Sequence, residues 1–143
     1  MKTRKLGLSD IDISCIGLGT NYVGGYGLYD NIDEDEGVRL VKAALDTGIT
    51  FLDTADIYGF GRSEELVGKA IAGRRSEVVL ATKGANAFVN GERTGVDNDP
   101  KYLRKALEDS LRRLNTDYVD LYYIHRYDER TRPEDSFGEL MRM

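Results

Sequence analysis

The feature that most limits what this chain can fold into is an alternation. Short apolar, β-forming runs at residues 15–18, 49–52, 78–81 and 118–124 are each followed by a longer stretch with helical periodicity. Strand then helix, four times over, predicts a parallel sheet with right-handed crossovers. The first helix is expected over about 33–47, with Val38, Val41, Ala44 and Leu45 on one face and Gly48 as its stop. The second, about 63–72, gathers Leu66, Val67 and Ile71; Ser63 is its expected N-cap, with only a partial capping box behind it. The third runs over 100–114 with Leu103, Leu107, Leu111 and Leu114 at helical spacing, and Asp99-Pro100 is a cap followed by proline at the first helical position. A fourth begins near Pro133, carries Phe137, Leu140 and Met141 on one side, and has no stop signal before Met143. It is therefore expected to run to the end of the chain. Ahead of the first unit, residues 2–6 and 10–13 flank Gly7-Leu8-Ser9 as a β-hairpin. Asn90-Gly91 and residues 98–100 mark a long loop before the third helix.

Composition narrows the classes of function. With 143 residues, 41% hydrophobic and 31% charged, the chain suits one soluble globular unit. Its net charge is −5 and its basic residues are interspersed with acids, which argues against nucleic acid or an anionic membrane as partner. No run approaches the roughly 18 apolar residues of a membrane span, and residues 1–14 lack the apolar core of a secretory signal. A cytoplasmic protein is expected. Cys15 is the only cysteine, so neither an internal disulfide nor a thiolate metal site can form, and its apolar setting, ISCIGLG, predicts a buried, inert thiol. One histidine and one cysteine would leave zinc with mostly carboxylate ligands, an unusual set, and no metal is expected.

Parallel α/β proteins bind ligands beyond the carboxyl ends of their strands. The second strand ends on Asp53, with Tyr58 five residues later in the following loop; the third ends on Lys83 and the fourth on His125. Each has a bland reading. A strand-end Asp often only caps the next helix or loop, a loop Tyr is commonly part-buried surface, a Lys after an apolar strand can simply reach solvent, and a sole His can be structural. Together the four types fit one reaction. Reducing a carbonyl needs a hydride donor and an acid to protonate the developing alkoxide. Tyr58 can give that proton if Lys83 stabilises the phenolate left behind, Asp53 can hold Lys83 in place, and His125 can hydrogen-bond the carbonyl oxygen.

The segments IGLGT (16–20), GITFLDTADIYG (48–59), SEELVGKAI (63–71), VVLATKG (78–84) and LRRLNTDYVDLYYIHR (111–126) resemble the aldo-keto reductase family in order and spacing. The resemblance covers nearly the whole chain, and its most specific parts are FLDTADIYG and the strand-end Lys and His. It implies the first half of a (β/α)8 barrel: an N-terminal hairpin plugging the barrel bottom and about four βα units, an incomplete barrel. On this reading residues 1–143 are one partial domain, truncated within the fourth helix. Asp53, Tyr58, Lys83 and His125 match the family's catalytic tetrad, with Tyr58 as proton donor. The implied cofactor is NADPH, with NADH as the alternative, and the implied substrate a small-molecule aldehyde or ketone. Gly19, Thr20 and Asn21, with Asp53, lie where the family brings the nicotinamide end of the cofactor. Most of the family's grip on that cofactor belongs to later strands and loops, so the 143-residue chain alone is expected to show no appreciable reductase activity.

Two other motifs are declined. GLGTNYVGG opens like a dinucleotide fingerprint, but Tyr22 stands where the third glycine belongs and no helix follows directly. DNIDEDEG is acidic without calcium-loop spacing, and acids at a helix start complement its dipole. The tyrosine-rich loop from Tyr22 to Tyr29 is a candidate lining for a substrate cleft. Besides carbonyl reduction, two readings stay open: a non-catalytic cofactor-sensing or regulatory subunit of the same fold, and an aldolase using Lys83 for a Schiff base.

Overall fold

A computed structural model describes residues 1–24 and 33–143. Strands β1 (Thr3–Lys5) and β2 (Asp12–Ser14) form the expected antiparallel hairpin, with Arg4 opposite Ile13. The main sheet comes next, in the order β3 (Gly17–Gly19), β4 (Phe51–Asp53), β5 (Val79–Gly84) and β8 (Leu121–Ile124). All three of its pairings are parallel. Helices α1 (Glu34–Asp46), α2 (Arg62–Ile71), α3 (Pro100–Leu114) and α4 (Pro133–Leu140) lie in chain order, each packed on the next. This is the expected run of βα units and a partial (β/α)8 barrel.

Strand side chains alternate between faces, and the outward set meets the helices. Leu52 of β4 and Leu80 of β5 join Val41 and Leu45 of α1, Leu66, Val67 and Ile71 of α2, and Leu114 of α3 in one buried cluster. Each large aliphatic group there contributes roughly 1.5–3 kcal/mol by leaving water. Asp33 caps α1 by accepting from the Asp35 amide at 2.9 Å, and Asp99 caps α3 by accepting from the Lys101 amide at 2.8 Å.

Four local expectations are corrected. Ser63 does not cap α2. The cap position is Gly61 in a left-handed conformation, and Ser63 lies inside the helix, its hydroxyl donating to the Thr20 carbonyl at 2.7 Å. Residues between β5 and α3 are not a plain loop but hold a second hairpin, β6 (Asn86–Val89) and β7 (Glu92–Val96). Its turn sits on Asn90 and Gly91, both at positive φ, the backbone that Asn-Gly favours in tight hairpins. Cys15 is exposed, because it precedes β3 and faces the open side of the sheet. Finally, α4 closes at Leu140: the last amides turn back onto carbonyls three residues earlier, Arg142 to Glu139 and Met143 to Leu140, so the α-helical ladder does not continue.

Candidate active site

The parallel register delivers the strand ends to one rim. Gly19 pairs with Asp53, Asp53 with Ala81, Lys83 with Tyr123 and Gly84 with Ile124. His125 stands one residue beyond β8, its amide donating to the Gly84 carbonyl at 2.8 Å. Tyr58 opens a short 3-10 turn over Tyr58–Gly61, after β4. That turn packs tightly against the chain after β3. A Cβ on Gly59 would stand 2.7 Å from the Gly24 carbonyl oxygen, and its φ of 57° also favours glycine.

These placements bring the four residues together. Lys83 Nζ donates to Asp53 Oδ2 at 3.0 Å, to the Thr54 carbonyl at 2.7 Å and to the Tyr58 hydroxyl at 3.2 Å. The same ammonium lies 4.8 Å from the centre of the Tyr58 ring. All three ammonium protons are thus engaged, and the Lys83 side chain is only 14% exposed. The His125 ring meets Tyr58 edge-on, centroids 5.9 Å apart at 87°. Burial, and then the Lys83 charge, lower the pKa of His125 below its ordinary value. Both favour the neutral imidazole, and its buried Nδ1 has no partner among the described residues.

A cleft of about 680 Å³ opens on this inner face, bordered by Gly19, Phe51, Asp53, Lys83, Tyr123 and His125. Of the other residues expected near a cofactor, Thr20 is fully buried. Its amide and hydroxyl both donate to the Asp53 carbonyl, at 2.9 and 3.2 Å, so it fixes Asp53 rather than facing the cleft. Asn21 is half-buried in the turn beyond β3. Of the tyrosine-rich loop, Tyr22 is exposed and Val23 is buried, whereas residues 25–29, Tyr26 and Tyr29 included, lie outside the described residues. Among the described residues no group of three or more His, Cys, Asp or Glu side chains is placed to hold a metal, and no helix is long and apolar enough to cross a membrane.

Sequence reasoning missed two polar groups close to the rim. Asp56 is 2% exposed, and its Oδ1 has no partner among the described residues. Burial, followed by the neighbouring Glu64 carboxylate, pushes its pKa up to about 7. Its place inside TADIYG marked the segment but gave it no separate role. Asn98 is likewise buried, and its setting in DND read only as a turn.

Comparison with known proteins bears on the whole chain. Residues 15–143 match the model of the aldo/keto reductase family. The chain is 44% identical over 134 residues to the aldo-keto reductase YhdN of Bacillus subtilis, covering 92% of this chain and 40% of that protein. Its fold superposes on the holo form of the aldo-keto reductase AKR11C1 of Bacillus halodurans with a TM-score of 0.88 at 38% identity, over 99% of this chain and 46% of that one. An aldo/keto reductase of Klebsiella pneumoniae solved with NADP and acetate matches at a TM-score of 0.75 and 34% identity, over 92% of this chain and 41% of that one. The chain thus spans less than half the length of each of these relatives.

Proposed function

The chain belongs to the aldo/keto reductase family, and from that membership we propose that its inner sheet face is the acid–base half of an NAD(P)H-dependent reductase of aldehydes or ketones. The observation that carries this reading is the single ammonium of Lys83, held by Asp53 and Thr54 and donating to the Tyr58 hydroxyl. The residues present fit the nicotinamide end of a cofactor. Gly19 borders the cleft with nothing within 4 Å of where a Cβ would stand, and Asp53 and His125 converge on the same space. Gly19, Asn21 and Asp53 are the residues that would hold that end, with Thr20 keeping Asp53 in register. A bound reduced nicotinamide supplies a hydride for the carbonyl carbon.

The chain's own groups manage the proton. As charge develops on the carbonyl oxygen, the Tyr58 hydroxyl delivers its proton there, and the alcohol results. The phenolate left on Tyr58 is stabilised by the Lys83 hydrogen bond. Neutral His125 has one N–H to offer the same carbonyl oxygen, which orients it and supports its developing charge. A Schiff-base role for Lys83 is disfavoured, because an amine whose three protons are engaged presents no lone pair to a carbonyl.

Activity is tested on this chain completed to barrel length with the C-terminal segment of a full-length relative. One alcohol formed per NADPH consumed, with a simple aldehyde as substrate, supports the reading. Cofactor binding without turnover would favour the regulatory alternative. The 143-residue chain by itself is expected to give no appreciable turnover, since most cofactor contacts in the family come from later strands.

A further inference from the structure

We infer that Asn98 is a positioning residue for His125, its buried carboxamide fixing the chain that leaves β8 and with it the direction of the imidazole. The inference rests on the reading of His125 as the group that orients the carbonyl. Asn98 lies between β7 and α3 and is 1% exposed. Its Nδ2 donates to the Arg126 carbonyl at 2.9 Å, and its Oδ1 accepts from the Asp128 amide at 2.6 Å. A carbonyl and an amide two residues apart are what a neighbouring parallel strand offers to a peptide group. The Asn98 carboxamide therefore acts as a surrogate strand, extending β8 by one bridge just past His125.

The rest of the surroundings explain why such a clamp matters. Arg126 and Tyr127 are exposed, so packing gives this segment little hold of its own. On the other side the His125 amide donates to the Gly84 carbonyl, and its ring meets Tyr58 edge-on. Asn98 is anchored in turn: its carbonyl accepts from the Ser136 hydroxyl of α4 at 2.8 Å, and the adjacent Asp97 amide donates to the Ala85 carbonyl at 2.9 Å. Arg130 adds a second tie, bonding both the Asp128 carboxylate and the Val96 carbonyl. Asn98 is the point where the ends of β5 and β8, the start of α3 and α4 meet. Removing its carboxamide would leave a buried donor and acceptor to find other partners and would free the imidazole to turn.

His125 is the only histidine, so NMR of the imidazole in the 143-residue chain reads this one ring without assignment. The charges that act on it are Lys83, Arg126 and Arg93, which oppose its protonation, and Asp53, which favours it. In the unaltered chain its titration midpoint is expected below the ordinary 6.5. Asn98→Ala is expected to raise that midpoint by about half a pH unit or more and to broaden the ring signals, as the imidazole gains water. Asn98→Ser, a gentler change, moves it the same way by less and decides the matter if the alanine variant does not fold. Leu114→Ala, a core change remote from this junction, serves as control and should lower stability while leaving the midpoint in place. A midpoint unchanged in the folded Asn98 variants, or an equal shift in Leu114→Ala, would overturn the inference. Because the signal is read without turnover, failure here leaves the Tyr58–Lys83 reading intact, and failure of that reading leaves the clamp intact.

Discussion

The two faces of the main sheet are built from the same strands to opposite ends. Toward the helices stand Leu52, Leu80 and Thr82, all fully buried. The one polar group among them is matched: the Thr82 hydroxyl donates to Glu64, whose other oxygen accepts from Arg113 at 2.7 Å. Toward the barrel interior stand Phe51, Asp53, Lys83 and Tyr123, which border the cleft, and Tyr123 is 41% exposed. Period-two alternation thus separates the packed core from the cleft with a one-residue step. The two aspartates of the DTAD run sharpen the contrast. Asp53, partly exposed, has Lys83 as its counter-ion, whereas Asp56 is buried with one oxygen unpartnered among the described residues.

Variants on either face test this division. The largest effect is expected from Lys83→Met, which should lower kcat/KM of the barrel-length protein by about 10²–10⁴-fold, since the phenolate loses its hydrogen bond. Its melting temperature should stay near that of the parent, because the Asp53 left behind is partly solvated. Leu80→Ala is the mirror case. Denaturant unfolding should register a loss of about 2–5 kcal/mol, with the Tyr58–His125 geometry, monitored by ring NMR, unchanged.

A smaller effect, and one that depends on pH, is expected at Asp56. Its folded pKa of about 7 lies above the unfolded value of 3.8, so the folded state holds the extra proton between the two. Stability from this group is therefore complete at low pH and is lost as pH rises through about 7. Asp56→Asn should stabilise the chain by about 1–3 kcal/mol at pH 8, and the gain should vanish near pH 4. Thermal melts at the two pH values measure it; an equal gain at both would break the contrast with Asp53. The smallest effect belongs to Cys15. As the exposed, sole cysteine it should react with a thiol reagent in the native state, and Cys15→Ser should change stability by less than about 0.5 kcal/mol.

Legibility in the sequence divides along the same line. In α3, which begins and ends where Asp99-Pro100 and Leu114 placed it, Leu103 and Leu114 of the expected stripe are buried, but Ala106 and Ser110 complete the buried face in place of Leu107 and Leu111. In α4 the expected apolar side is exposed at Phe137 and Met141. The rim positions of Asp53, Lys83 and His125 were legible because each ends an apolar run, whereas Tyr58, a loop residue with no pattern of its own, entered only as part of the set. The hairpin β6–β7 escaped notice although Asn90-Gly91 signalled it. Its strands carry Gly95 and a register shift between Ala87 and Phe88, which spoil the alternation that would have marked them. Cys15 was misjudged because apolar neighbours say nothing about which face a residue takes at the edge of a sheet. Asn98 and Asp56 could not be read at all, since their burial is created by loops and helices brought together from distant parts of the chain.

The most direct test of the proposed chemistry is Tyr58→Phe in the barrel-length protein, with turnover and NADPH affinity measured together. The account predicts that affinity is kept while kcat falls by about 10²–10⁴-fold, because one hydroxyl proton is missing from an otherwise intact site. A variant that still reduces the aldehyde at close to the parent rate would contradict it, and the proton would have to come from elsewhere.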